Sequence, residues 1–139
     1  MDKIDEKYVA VIIPMFNAEK TIIRAIESVF SQTYTQWHLY IINDCSTDSS
    51  LEMVMDRYKS DKITIINNDQ NLGAAESRNA GLKYSNEKVI AFLDSDDQWL
   101  PDKLEKQMDA ISKGYNMVLS WYFYDINNKK HVISLIQMF

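Results

Sequence analysis

Residues 89–97 read VIAFLDSDD: five apolar residues, Val89 to Leu93, run directly into three carboxylates within four positions, Asp94, Asp96 and Asp97. An uninterrupted apolar run of that length has the character of a strand buried on both faces. Such strands belong to parallel sheets covered by helices. Ligands of these sheets collect at the carboxyl ends of the strands, so the acids sit where chemistry is to be sought. Two unit charges about 5 Å apart repel by roughly 3 kcal/mol at an effective dielectric near 20. A hard divalent cation, Mg2+ or Mn2+, would offset that repulsion, because carboxylate oxygens without imidazole or thiolate suit those ions. If the chain stays extended, Asp94 and Asp96 point to the same side. The same acids would also serve as helix caps and solvated loop residues ahead of Pro101.

The segments before and after repeat the alternation. Tyr8 to Ile13 reads as a strand ended by Pro14, and Ala18 to Gln32 as an amphipathic helix with Ile22, Ile23, Ile26, Val29 and Phe30 at helical spacing. Trp37 to Ile42 is a second strand and Thr47 to Tyr58 a second helix, with Asp48, Ser49 and Ser50 near its start. Ile63 to Asn67 is a third strand, Ala74 to Tyr84 a third helix, and Pro101 opens a fourth helix to about Lys113. Asn116 to Tyr124 reads as a fifth strand, Asp125 to Lys130 as a polar turn, and His131 to Phe139 as a short apolar tail. The order βαβαβαβαβ predicts an α/β domain over residues 1–139: a mostly parallel, Rossmann-like sheet with helices on both faces.

Composition narrows the partners. The 139 residues are 46% apolar and 25% charged, close to globular averages, and net charge is −5. A surface of that sign is a poor partner for nucleic acid, although one nucleotide with a metal ion remains compatible with it. The single cysteine, Cys45, excludes an internal disulfide and a cysteine-based metal site. Met1 to Lys7 is charged and polar, unlike a signal peptide, and no apolar run approaches the roughly 20 residues of a membrane span. A cytoplasmic location is expected, with peripheral attachment at the inner face of the membrane as an option.

Polar clusters follow the first four strands, and the inferred topology puts them all on one edge of the sheet: Pro14 to Asn17, Asn43 to Asp48, Asn71 to Gly81, and Asp94 to Asp97. Asp44, as an ionised carboxylate, accepts hydrogen bonds only; it suits the imide N–H of uracil, or is simply a turn aspartate. Phe16 would stack on a base, or belong to the core. Arg78 would reach a base carbonyl or a phosphate, or form a surface ion pair. Gly81 reads as a close helix–sheet contact. His38 and His131 have no metal-ligand spacing, and no Ser-His-Asp arrangement or glycine-rich phosphate loop is present.

Four stretches, VIIPMFNAEKTIIRAIESVFSQTY, WHLYIINDCSTDSS, NLGAAESRNAGL and VIAFLDSDDQWLPDKL, together resemble the family 2 glycosyltransferases with the GT-A fold. They stand in the family's order and cover nearly all of residues 8–113. The resemblance implies a nucleotide-diphosphate sugar donor, usually a UDP-sugar, and Mn2+ or Mg2+. Carried over by position, Pro14, Phe16 and Asn17 would line the base and ribose pocket with Glu19 nearby. Asp44 would hold the uracil imide and Arg78 would approach the base. Asp94 and Asp96 match the Asp-x-Asp motif, Asp94 toward the ribose and Asp96 on the metal.

Three positions depart from the family pattern: Asn43 where aspartate is frequent, Cys45 where glycine is frequent, and Ser77 where alanine is common. The family's catalytic base and acceptor walls are expected beyond residue 139, so the sheet is expected to be incomplete at the C-terminus. An apolar edge left uncovered there would favour a homo-oligomer.

The resemblance implies transfer of the sugar to a saccharide or lipid-linked acceptor hydroxyl, with inversion, in polysaccharide biosynthesis. The competing expectation is a truncated, non-catalytic domain that binds nucleotide and self-associates. A receiver-type signalling domain also clusters aspartates on an α/β sheet, but places an acid pair after its first strand, where this chain has Pro14-Met15-Phe16.

Overall fold

The computed structural model describes residues 8–119 in full and the backbone of residues 122–126 and 129–133. Strands β1 (Val9–Met15), β2 (Trp37–Asn43), β3 (Ile63–Asn67) and β4 (Val89–Phe92) form one parallel sheet in the order β3-β2-β1-β4. Helices α1 (Ile22–Phe30), α2 (Ser50–Arg57), α3 (Ala74–Tyr84) and α4 (Lys103–Ser112) follow the strands in turn.

The chain steps outward from β1 to β3 by way of α1 and α2, then returns past β1 to lay down β4. Right-handed crossovers require such a return to run over the opposite face, and α3 lies there. Alternation along the strands divides the core accordingly. Val9, Val11, Ile13 and Met15 pack with Leu39 and Ile41 against Ile22, Ala25, Ile26 and Val29 of α1, Val54 of α2 and Leu104 of α4. Ala10 and Ile12, with Tyr40, Ile42 and Ile66, face Ala80 of α3. Complete burial of a side chain such as Ile12 or Ile26 contributes roughly 2 kcal/mol relative to exposure. A Cβ on Gly81 would lie 2.6 Å from the Ile12 methyl carbon Cγ2. Glycine therefore permits the contact between α3 and β1, as expected from the sequence.

Pro14 does not end the first strand; β1 runs through it to Met15. Strand residues alternate the neighbour to which their backbone points. The Ile12 carbonyl receives Leu93 N–H on the β4 side, and the Met15 carbonyl receives Asp44 N–H on the β2 side. Pro14 shares the side of Ile12, and pairing with β4 stops at Ile12–Phe92. Its missing N–H therefore costs no ladder bond. The first helix starts at Ile22, not Ala18; a turn leads into it, with the N–H groups of Thr21 and Ile22 both donating to the Ala18 carbonyl, while those of Ala18 and Glu19 donate to Ser50 and Asp48. Pro101 lies in the turn ahead of α4 rather than in its first position.

Among the described residues there is no fifth parallel strand over Asn116 to Tyr124. Residues 116–119 are irregular, and β5 (Tyr122–Ile126) pairs antiparallel with β6 (Lys129–Ile133) in a separate two-stranded sheet. Asp125 and Lys130, assigned to a turn by their polarity, are paired across that ladder. Of the expected apolar tail, residues 134–139 lie outside the described residues, as do residues 1–7. Among the described residues no helix is long and apolar enough to cross a membrane.

Candidate functional site

The strand order reverses between β1 and β4, and at the carboxyl ends of the strands beside that switch point lies an open hollow of about 430 Å3. Pro14, Phe16, Asn17, Asp44, Arg78, Asp94 and Asp96 all line it, so seven of the eight residues singled out from the sequence share one cavity. The eighth, Glu19, does not. Its carboxylate accepts the Ser49 N–H at 3.1 Å, at the start of α2, and faces the neighbouring loop.

The loop after β1 is zipped to the loop after β2. Asn17 adopts a left-handed backbone, φ 48°, which asparagine tolerates better than most residues. Its side-chain oxygen accepts Thr47 N–H at 2.8 Å and Asp48 N–H at 3.3 Å, while its own N–H donates to the Ser46 hydroxyl at 3.1 Å. Asp48 closes the zip. Burial pushes its carboxyl up, but bonds from the Ser50 hydroxyl and N–H and from Glu19 N–H outweigh that and hold it below the ordinary range. Phe16, at the tip, is left half exposed over the hollow.

Asp44 is only 3% exposed. Its Oδ1 accepts the Asn68 amide at 2.7 Å and Leu72 N–H at 2.8 Å, and its Oδ2 accepts Gly73 N–H at 2.8 Å. The Asn68 amide also donates at 3.1 Å to the hydroxyl of Ser77, fully buried on α3. Burial alone would raise the Asp44 carboxyl, but these donors prevail and hold it below the usual carboxylate range. The carboxylate thereby clamps the loop before α3 to the end of β2. Cys45, beside it, has φ 60°. The turn thus needs the left-handed geometry that glycine adopts freely, and Cys45 accepts the strain while its thiol donates to the Asn68 carbonyl at 3.1 Å. Asn43 is satisfied by a 2.9 Å bond to the Asn67 side chain.

The β4 end is built differently. Asp94 is ion-paired with Arg78 of α3 at 2.5 Å, both partners being partly exposed. Asp97 N–H closes a turn onto the Asp94 carbonyl at 3.1 Å. Burial, then the charges of Asp96 and Asp94, push the Asp97 carboxyl up, with Arg24 acting the other way. The Asp96 carboxylate takes part in none of the side-chain bonds among the described residues; its main-chain carbonyl accepts from Arg24. Those residues include no group of three or more His, Cys, Asp or Glu able to hold a metal by themselves. One or two carboxylates at the rim of a hollow do fit the way Mg2+ and Mn2+ are usually held, with a substrate's phosphates and water completing the shell. Ser77, Asn68 and Arg24 had no assigned role from the sequence. Their partners lie on other elements, and spacing along the chain carries no sign of them.

A parallel α/β domain with its hollow at the switch point belongs to the nucleotide-binding class of folds. The comparisons sharpen this: residues 10–137 match the family described as glycosyl transferase family 2, and the chain belongs to that family, with the GT-A fold. It is 38% identical over 129 residues to the Escherichia coli UDP-Glc:alpha-D-GlcNAc-diphosphoundecaprenol beta-1,3-glucosyltransferase WfgD, covering 93% of this chain and 50% of that one. It is 40% identical over 104 residues to the putative teichuronic acid biosynthesis glycosyltransferase TuaG of Bacillus subtilis, covering 74% of this chain and 41% of the relative. The chain thus spans half or less of the length of these relatives. The structure of S. aureus TarS 1-349 in complex with UDP-GlcNAc superimposes with a TM-score of 0.71 at 27% identity, over 76% of this chain and 31% of that one. The mannosyltransferase PcManGT from Pyrobaculum calidifontis, in complex with GDP-Man and Mn2+, has a TM-score of 0.71 at 19% identity over 77% of this chain and 33% of its own, a likeness of fold alone.

Proposed function

We propose that the hollow binds a UDP-sugar with a divalent cation, and that the protein transfers the sugar to an acceptor hydroxyl with inversion. The observation that carries the reading is convergence. The carboxylate closing β2 and the acids after β4 line the same hollow, 50 and 52 positions apart for Asp94 and Asp96 measured from Asp44 (94 − 44 and 96 − 44). Relatives supply the chemical identity: TarS was crystallised with UDP-GlcNAc, and the name of WfgD specifies UDP-Glc and a diphosphoundecaprenol-linked acceptor. The second supports a lipid-linked saccharide as the proposed acceptor, and with it peripheral attachment to a membrane.

The roles proposed for the chain's own residues follow from chemistry. Phe16 offers an aromatic face to the uracil. Asp44 already accepts three donors, so the imide N–H would take the remaining one of the about four lone-pair sites of its carboxylate. Arg78 turns from Asp94 to the ligand's carbonyl or phosphate oxygens. Asp96, assisted by Asp94, holds the cation against the diphosphate. When bound, that cation neutralises charge developing on the departing nucleoside diphosphate.

The test is calorimetry of UDP, ADP and GDP with Mn2+ or with EDTA. UDP with Mn2+ should bind most tightly, stabilising the fold by about 2.7 kcal/mol at a hundredfold excess over Kd. Asp96→Ala should lose the metal-dependent part. Equal binding of all three nucleotides, or indifference to Mn2+, would end this reading. UDP binding by the full-length protein without sugar transfer or donor hydrolysis would instead favour a non-catalytic nucleotide-binding domain.

A further inference from the structure

The acid loop is held by more than its own strand. Arg24, Ser28 and Gln32 succeed one another at four-residue steps, a single stripe along α1 and the turn after it. From one end of the stripe the Arg24 guanidinium donates to the main-chain carbonyl of Asp96 at 2.6 Å, across 72 positions of sequence. From the other end the Gln32 side chain donates to the Leu100 carbonyl at 2.7 Å and accepts Leu104 N–H at 2.9 Å. Thr33 N–H adds a bond to the Pro101 carbonyl at 2.9 Å. The segment from Asp96 to Leu104 is thus strapped to α1 at both ends.

The two straps differ in kind. Gln32 is 4% exposed and caps α4 from within the core. Arg24 is exposed and does not line the hollow. It grips the peptide of Asp96, whose carboxylate lines the hollow and has no side-chain bond among the described residues, and its charge bears on Asp97.

We infer that Arg24 is a positioning residue for the cation and diphosphate: by fixing the Asp96 peptide it aims the Asp96 carboxylate into the hollow. This rests on the functional reading above and extends it to a residue outside the cavity. Arg24 acts in two opposed ways on an incoming cation. Its charge repels it, and its bond prepares the ligand. The charge is exposed and screened within a Debye length of about 8 Å at physiological salt. Mg2+ and Mn2+ are demanding in geometry, and residues that orient a metal ligand commonly govern affinity by 10- to 100-fold. The bond therefore prevails.

The experiment titrates UDP into the full-length protein with Mn2+ or EDTA for wild type, Arg24→Ala and Arg24→Lys, at 0.1 and 0.5 M NaCl. Thermal unfolding and amide hydrogen exchange of the ligand-free proteins accompany it. Arg24→Ala should raise the Mn2+-dependent Kd about 10-fold and leave binding in EDTA unchanged. The ratio should persist at high salt, the Tm should hold, and exchange at the Asp97 amide should quicken. Arg24→Lys, which keeps a donor of similar reach, should restore most of the affinity. Unchanged or tighter Mn2+-dependent binding by Arg24→Ala, or an equal loss with and without metal, would overturn the role of Arg24 alone. A wild type without Mn2+-dependent binding removes the functional reading, and the inference with it.

Discussion

Two strand ends meet at one hollow, and each presents carboxylates to it, but the surrounding protein treats them in opposite ways. At the end of β2, Asp44 is buried and bonded by Asn68, Leu72 and Gly73. At the end of β4, Asp94, Asp96 and Asp97 crowd within four residues, with Arg78 and Arg24 bonded to them among the described residues. One carboxyl is held below its ordinary range by donors; another, Asp97, is pushed above it by burial and its neighbours' charges. The first end is a finished piece of architecture that organises a loop. The second is left electrostatically short of positive charge, which is the condition a cation-bound ligand would satisfy.

The sharpest way to break this contrast is to delete one acid at each end and compare stability. Asp44→Ala leaves two backbone N–H groups and the Asn68 amide facing a void. Hydrogen bonds to a buried charge contribute about 1.5–3 kcal/mol each, and part of the loss is recovered by water from the adjoining hollow. A loss of about 3–4 kcal/mol in urea denaturation is expected, a large share of the 5–15 kcal/mol typical of a domain. Asp96→Ala, at an exposed carboxylate without a side-chain bond, should stay within about 0.5 kcal/mol of wild type. Equal losses at both sites would remove the distinction.

Acid titration sharpens the same comparison with a smaller effect. Asp44 has a folded-state pKa below its unfolded one. Its contribution is therefore fully present above the ordinary carboxylate range near 4, and is lost as pH falls through the folded value. Asp97 has the reverse shift, so protonating it on acidification favours the folded state. The stability of Asp44→Ala should consequently fall less steeply than wild type below about pH 4. A slope as steep as that of wild type would mean that other groups, not this clamp, carry the acid sensitivity.

Much of this was readable before any coordinates. The parallel sheet announces itself in apolar runs such as Val9 to Ile13, because a strand buried on both faces has no polar side to show; Val89 to Phe92 carries the same signal but is an edge strand, only partly covered and with Phe92 exposed. The site announces itself in polar clusters after those runs, since strand ends in this fold converge. The misreadings share one physical cause. Periodicity reports which face of an element is apolar, not what meets that face. Pro14 looked like a strand terminator because the one-sided end of its ladder is a property of β4. Residues 116–124 looked like another parallel strand because apolar content cannot separate a strand in the main sheet from one in an antiparallel pair. The placement of Glu19 was equally out of reach, since the group its carboxylate meets, Ser49 N–H, stands 30 positions away on another loop. Arg24 and Gln32 read as ordinary polar positions of an amphipathic helix; what they hold lies about seventy residues downstream.

The smallest expected effect tests the β4 end from within. Asp97→Asn removes one of three crowded charges while the turn it closes is made by its backbone N–H and survives. With less repulsion from Asp96 and Asp94, the variant should gain a few tenths of a kcal/mol at pH 7, about 0.5 at most for so exposed a group. The gain should shrink as pH falls, because Asp97 of the wild type then becomes neutral by itself, its raised pKa bringing this on earlier than for an ordinary aspartate. Cation binding should move in the opposite sense, weakening slightly as the local negative potential drops. A gain in stability coupled to a loss in Mn2+ affinity is what an end of the sheet kept short of positive charge for a ligand's sake should show. If Asp97→Asn destabilises the fold at neutral pH, the acids are not in conflict, and the contrast between the two strand ends is one of burial alone.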